Sequence, residues 1–500
     1  MSATRQIPAA EPADAAEATD LRAQTARRTP TDSQAPAGTL SPSGAQAHTS
    51  PSGPIARAQL PLPPLLRLPR TVQQLRFGMR QASFLLAAQR QLGDVFRISG
   101  VLSDDWIAVT SNPQHVRALF TASPALVPSL TGESPLRPIV GPSSVLTLLG
   151  ERHMRQRRLL LPPFHGEAVQ RYVQMIERAA QREIDVWPVG EPFALAPRMQ
   201  AITLEVIMAG VFGVEGLPPK GTLERRLRDE IRRIVDFSTK PLALIAEIVL
   251  LRRARRGRVL SGVIGELDRM LYALITERRQ SERRSDILSM LLDAVDEDGR
   301  AMSSEELRDE LITLVLAGHE TTANSLAWAF ERLLRHGDAY DRLRELVRAQ
   351  HAPQEAADYI EACIQESMRT RPVVPSIGRR VTVPWRLGAF DVPSGAAIMI
   401  SILLLHHRED VYPQPFAFSP ERFLGVKPGT CTWIPFGGGV RRCLGATLAL
   451  AEQRAVMRAV AARTDMVAPD PQPERMRHRN VTMVPGHGAL VKIVRRLPER

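Results

Sequence analysis

From about residue 72 onward, apolar side chains recur every three or four positions over most of the chain, and only in brief stretches at every second position. That pattern predicts a mostly helical protein with a small amount of sheet. The first helix is expected over about Val72–Leu92, followed by two short strands, Asp94–Ile98 and Trp106–Val109, around a turn. Residues 124–142 are dense in Pro, Ser and Gly and read as a long loop, and helical patterns then fill 165–212 and 222–280. A longer helix is expected from Ser303-Ser-Glu-Glu, an N-cap with acids in the first turn, to His336 before Gly337. Leu307, Leu311, Leu314, Gly318 and Thr321 share its helical spacing. At 1.5 Å per residue it would be roughly 50 Å long, enough to cross a domain. Another helix begins near Glu355 and carries Ile360, Ile364 and Met368 to Arg371-Pro372, where proline stops it. Residues 385–401 read as a β-hairpin.

The first 55 residues behave differently. Rich in Ala, Pro, Ser, Thr and Gly and without an apolar face, they are expected to be disordered, with order beginning near Leu60. No run reaches the eighteen or so apolar residues of a membrane span: 242–251 is interrupted by Glu247 and 396–405 by Ser401. The N-terminus also lacks an apolar signal-peptide core. The expectation is a soluble protein with no transmembrane anchor.

Length and charge constrain less. Five hundred residues, 44% hydrophobic, are ample for a large core, and the length alone would suggest about three domains. The formal charge of +12 comes from 65 Lys plus Arg against 53 Asp plus Glu, and nearly all the bases are Arg. Aromatics are only 5% and no nucleic-acid motif is present, so the excess does not imply nucleic-acid binding. Three cysteines, Cys363, Cys431 and Cys443, are too few and too odd in number for a disulfide framework, which fits a reducing cytoplasm.

The chemistry concentrates in Trp433-Ile-Pro-Phe-Gly-Gly-Gly-Val-Arg-Arg-Cys-Leu-Gly-Ala446. Three glycines let the backbone lie close to something bulky. Cys443 then precedes a helical pattern, where unpaired N–H groups favour a thiolate. A thiolate on such a loop is a metal ligand or a nucleophile. A phosphate-binding glycine loop would need a following Lys-Ser/Thr, which is absent, and a buried structural cysteine is the remaining alternative.

Phe436-x-x-Gly439-x-Arg441-x-Cys443-x-Gly445 resembles the haem-binding loop of the cytochrome P450 family at all its signature positions. The resemblance implies a haem b whose iron takes the Cys443 thiolate as axial ligand, with Phe436, Gly437, Arg441 and Gly445 around it. Four further motifs match in the family's order. His153 and Arg157, i and i+4 on a helix, correspond to the pair that binds haem propionates. Ala317-Gly318-His319-Glu320-Thr321-Thr322 resembles the family's distal helix, in which Ala317 and Gly318 leave room for the cofactor and dioxygen while Glu320 and Thr321 deliver protons. Glu366-x-x-Arg369, joined by Arg422, resembles its buried structural triad. Arg379, or else its neighbour Arg380, resembles the strand arginine that reaches a propionate. His406 and His407 lack a second ligand pair and read as structural, with His406 a lesser propionate candidate.

The resemblance, covering about residues 60–495, implies a mainly α fold with a small β region, haem lying between the long helix and the Cys-bearing loop. One cofactor drawing on residues from His153 to Cys443 makes 56–500 a single domain, against the length prior. The implied activity is insertion of one oxygen atom of O2 into a small lipophilic substrate, by hydroxylation or epoxidation. A haem-thiolate isomerase or peroxygenase is the alternative, disfavoured by Glu320 and Thr321; a non-catalytic haem or lipophile-binding protein is another. With no Rossmann fingerprint and no ferredoxin-type Cys cluster in the chain, electrons from NAD(P)H would arrive through a ferredoxin and its reductase, or a flavodoxin, to a cytoplasmic monomer. Arg155, Arg158 and Arg442 are expected to form the basic docking patch. Apolar pocket walls are expected from 124–148, a lid at 242–251 followed by an arginine cluster, Val373–Ile377 and Val481–Val484.

Overall fold

The computed structural model describes residues 52–100, 106–134, 136–238, 260–349, 351–479 and 481–499. The lid expected at 242–251, its arginine cluster and nearly all of the 1–55 segment lie outside the described residues. The main helices are α1 (Arg70–Leu92), α2 (Pro113–Thr121), α3 (Gly150–Leu160), α4 (Glu167–Asp185), α5 (Ala196–Phe212), α6 (Leu223–Ser238), α7 (Leu260–Gln280), α8 (Ser304–Leu334), α9 (Gly337–Arg348), α10 (Pro353–Thr370) and α11 (Ala446–Arg463). The strands are short: β1 (Ser52–Pro54), β2 (Val95–Ser99), β3 (Trp106–Thr110), β4 (Pro192–Ala194), β5 (Ser376–Arg380), β6 (Trp385–Leu387), β7 (Phe390–Val392), β8 (Ala397–Ser401), β9 (Thr464–Val467), β10 (Met476–Arg479), β11 (Thr482–Pro485) and β12 (Leu490–Arg496). The fold is mainly α with small sheets, as the hydrophobic pattern predicts.

Helix α8 is its axis, about 46 Å long. It starts where the sequence places it: Ser303 Oγ accepts the Glu306 N–H, and Glu306 returns a bond to the Ser303 N–H. This reciprocal cap satisfies two donors that a helix end leaves unpaired. Nearly every residue from Leu307 to Leu333 is buried, because the largest apolar cluster draws α4, α5, α7, α10 and α11 around it. Burial lapses in mid-helix, at Leu316–Gly318 and at Glu320 and Thr321.

Four strands in the order β2-β3-β8-β5 form the main sheet, with β3 and β8 parallel. Here the hairpin expectation needs correction. Only Trp385–Val392 folds as a hairpin, β6 on β7, whereas Ala397–Ser401 pairs with β3 and β5. All five residues of β8 are buried, and its apolar run is that of a strand covered on both faces rather than a half-exposed hairpin arm. A second correction concerns the start of order, which precedes Leu60: Ser52–Pro54 adds to the hairpin edge against β6. The 165–212 helical span is broken by β4. The 124–142 loop contains a 3-10 turn, Leu130–Glu133, and one helical turn, Arg137–Val140. It is laced to β5 by the Arg380 N–H on Pro128 O and by a bridge between Ser129 and Arg379.

No helix among the described residues is long and apolar enough to cross a membrane.

Candidate active site

The loop ahead of α11 closes on itself through the Cys443 N–H, which donates to Phe436 O at 2.9 Å. Gly437 and Gly439 adopt φ of +66° and +62°, a region that side chains disfavour. A Cβ on Gly438 would stand 2.2 Å from the Phe120 ring, and one on Gly439 2.4 Å from Phe120 O. Two of the three glycines thus let the loop sit on the end of α2, with Phe120 a bulky neighbour. Phe436 packs edge-on against Trp433, whose indole N–H donates to Gln365 O.

The Cys443 side chain is accessible, yet burial pushes its thiol pKa up, against the pull of the Gly445 amide, Arg157 and Arg442. A sulfur that is both reachable and desolvated lies on the wall of an internal cleft. The helix terminus alone therefore does not hold it as thiolate; coordination to a metal would deprotonate it outright.

Four bases form a linked cluster that reaches the sulfur through Arg157. Burial lowers the pKa of Arg379 to about 10. Burial, then Arg379 and Arg157, lower that of Arg441 to about 10. His153 falls to about 4 through burial, Arg441 and Arg157, so its imidazole is neutral at neutral pH. Arg157 is lowered by burial and Arg442, with Cys443 acting the other way. Their mutual repulsion shows that these groups share one site, and none of the three arginines has an ion-pair partner among the described residues. Arg441 instead donates to Val145 O at 3.1 Å and to Leu148 O, Arg379 to Gly378 O. Desolvated cations without anions call for a ligand that brings carboxylates. Together with a reachable sulfur, this donor set fits a flat metallo-macrocycle carrying acidic side arms.

Arg379 and Arg380 differ in their partners. Arg380 makes a bidentate pair with Glu133 at 2.8 Å and donates to Gly395 O; Arg379 is 6% exposed, lies over Phe120 and has no acid.

Loop 143–148 is gripped from two sides. Ser144 Oγ meets Thr313 Oγ1 at 2.6 Å and the Val145 N–H donates to Glu310, both on α8, while Arg441 holds the carbonyls beyond. Thr313, Ala317 and Thr321 lie at i, i+4 and i+8 on one face of α8. Ala317 and Thr321 therefore lie on the same face of α8 as Thr313, the face that meets loop 143–148. Ala317 is exposed there, and Thr321 Oγ1 donates to Ala317 O at 2.6 Å. Gly318 departs from expectation: its absent Cβ would lie 2.9 Å from Ile207 Cδ1 of α5, so it permits helix packing, and the cleft is faced by Ala317. Glu320 is held by Arg479, at 2.9 Å from Nε and 2.8 Å from Nη2, and by Thr482 Oγ1 at 3.3 Å.

Below the loop, Glu366 and Arg369 form two parallel 2.7 Å bonds, and both side chains are fully buried. Arg369 also donates to His406 O, Pro415 O and Ala417 O. Arg422 joins Glu366 only at 3.6 Å. His406 Nε2 accepts the Ile434 N–H at 2.9 Å and His407 Nδ1 meets Leu403 O, so both are structural, and His406 does not join the basic cluster.

The basic docking patch is corrected in one member. Arg155 is spent on Asp296 at 2.5 Å and on Glu306 at 2.8 Å, next to the α8 cap. Arg158 pairs with Glu297 at the surface; Arg442 is exposed without an ion pair among the described residues. Sequence reasoning missed Arg479, Thr482 and Phe120. Arg479 lies 159 residues from Glu320, and no local spacing signals such a pair.

A sequence profile described as Cytochrome P450 matches residues 60–492. The chain is 38% identical over 442 residues to a Mycobacterium tuberculosis protein named cytochrome P450 135B1, covering 86% of this chain and 91% of that one. It is 36% identical over 459 residues to one named cytochrome P450 138 from the same organism, covering 89% and 98%. Among solved structures, a retinoic acid-bound cyanobacterial CYP120A1 superposes with a TM-score of 0.72 at 24% identity, covering 88% of this chain and 100% of that one.

Proposed function

The chain belongs to the cytochrome P450 family, and from that premise we propose that it inserts one oxygen atom of O2 into a small lipophilic substrate, using electrons from a separate redox protein. Its class is that of haem-thiolate monooxygenases. When bound, haem with a thiolate ligand supplies the activation of dioxygen. The observation that carries the reading is the pairing of a reachable, desolvated Cys443 with a basic cluster short of anions.

In this reading Cys443, as thiolate, would be the residue that holds the iron, Arg157, Arg379 and Arg441 would hold the propionates as charge-assisted donors, and neutral His153 would donate a ring N–H. Phe436 shields the sulfur from water. Ala317 keeps the opposite wall low enough for a substrate beside the haem. Thr321, by releasing Ala317 O, can present its hydroxyl to water in the cleft, and Glu320 can carry protons inward from the Arg479 side. An acid and an alcohol one residue apart suit proton delivery during dioxygen use better than an isomerase or peroxygenase, which needs none. Oxygen-isotope labelling tests this: label from O2 in the product is expected, and label arriving only from peroxide or water would exclude a monooxygenase. Substrates are found first by the spin-state shift that lipophiles cause on binding.

Four substitutions probe the assigned roles. Thr321→Ala should retain haem but divert reducing equivalents to peroxide, and Glu320→Gln should slow turnover about 10²-fold; tight coupling in both would count against a proton relay. Arg379→Ala should weaken haem retention about tenfold, the loss of one hydrogen bond to a charged group, read as haem transfer to apomyoglobin. Arg380→Ala, whose partner is Glu133, should leave transfer unchanged.

A further inference from the structure

Between Ser52 and Gly93 the chain carries six arginines, at 57, 67, 70, 76, 80 and 90, and no Asp or Glu. None of the six has an ion-pair partner among the described residues. The same stretch holds five of its exposed large apolar side chains, Leu60, Leu62, Leu65, Leu75 and Met79, the last two 60% and 61% exposed. A second group, Val186, Val189, Val467 and Val494, lies around β12 and has no comparable run of unpaired arginines beside it in sequence.

The 60–68 lead-in is tied to the start of α1, where Gln73 donates to Leu66 O at 3.0 Å and Leu68 O at 2.8 Å. Leu66 turns inward with Phe84 and Leu85, leaving Leu62 and Leu65 outside. On α1, Leu75 and Met79 stand at i and i+4 with Arg76 and Arg80 beside them, all exposed. The nearest acid at the base of the lead-in, Asp391, is buried and consumed by the Gln59 and Leu60 N–H groups and by Arg386.

We propose that this face docks the enzyme on a bilayer surface containing anionic lipid. A protein partner is the poorer fit, because protein interfaces gather apolar groups in a core and leave charge to the rim. Here leucine and methionine are interspersed with arginine in the 60–68 lead-in and on α1. That is the arrangement of a surface lying at the headgroup boundary, where apolar groups enter the acyl region and guanidinium groups reach the phosphates. Each arginine near such a surface adds attraction that salt screens.

The test uses the full-length haem-loaded protein, co-sedimented with phosphatidylcholine vesicles with and without phosphatidylglycerol. Binding is expected only with the anionic lipid and should fall as salt rises. The variant Leu75→Asp/Met79→Asp and the variant Arg67→Gln/Arg70→Gln/Arg76→Gln should each lower the partition coefficient about tenfold or more. All these side chains are exposed, and an unchanged carbon monoxide difference spectrum verifies that each variant is folded. Wild-type binding that both variants retain would place the contact elsewhere and overturn the proposal. So would no vesicle binding by wild type, including the case where the face instead self-associates in sedimentation velocity.

Discussion

Replacing Cys443 by Ala is expected to abolish turnover and the far red-shifted Soret band of the reduced, carbon monoxide-bound protein, while leaving the fold in place. Both halves follow from where the sulfur sits. It is reachable rather than packed, so losing it leaves no filled cavity behind, and the stability cost should stay within about 0.5 kcal/mol, as for other substitutions without a packing role. No other thiol can stand in. Cys363 is fully buried in the main core beside Tyr359 and Ile360, and burial pushes its pKa well up. Cys431 packs with the apolar cluster that includes Ile434 and Phe120. The expected variant is a folded chain that still attracts haem through Arg157, Arg379 and Arg441 but has lost the electron-rich ligand that favours O–O cleavage. The measurement is the difference spectrum beside a thermal melt. A red-shifted band in the variant would show that another residue supplies the thiolate and would remove the basis for the proposed site. A collapsed melt would show instead that Cys443 is part of the packing.

How far the sequence anticipated this site depended on whether a residue's neighbour is local in the chain. The α8 cap reads directly from Ser303 and Glu306 because both partners lie within one turn. Glu366 and Arg369 are visible for the same reason. The 159-residue reach from Glu320 to Arg479 could not be read, since β10 comes beside α8 only when the whole chain is folded. Gly318 misled because a glycine reports a close approach without naming what approaches; the neighbour is Ile207 of α5. Arg155 looked like a free surface charge until the loop bearing Asp296 was placed next to it. The pairing of Ser52–Pro54 with β6 uses backbone groups alone, and backbone pairing at a sheet edge leaves little trace in side-chain pattern. The split of 385–401 is the one error the sequence could have prevented. Ala397–Ser401 is too continuously apolar for a hairpin arm with a wet face.

Arg369→Lys is expected to yield protein that is insoluble or free of haem, although the charge is kept. The guanidinium makes five bonds at once: two to Glu366 and one each to the carbonyls of His406, Pro415 and Ala417. A lysine ammonium has three donors and no planar fork, so it cannot meet the carboxylate in two places and also reach three carbonyls. Whatever it leaves unpaired is fully buried. Removing one partner of such a pair costs about 3–5 kcal/mol, a large share of the roughly 5–15 kcal/mol that holds a domain together. The damage would reach the cofactor site, because those three carbonyls belong to the segment that runs into the Cys443 loop, and His406 itself accepts the Ile434 N–H. Arg422→Ala makes the contrast. Its guanidinium stands 3.6 Å from Glu366 and is partly exposed, so its loss should cost about 1 kcal/mol and leave haem content near wild type. Urea midpoints and haem-to-protein ratios for the two variants separate a triad of equal members from a rigid pair with a loosely attached third. Equal losses would favour the former, and a stable Arg369→Lys protein would show that charge alone, rather than the forked geometry, holds this loop.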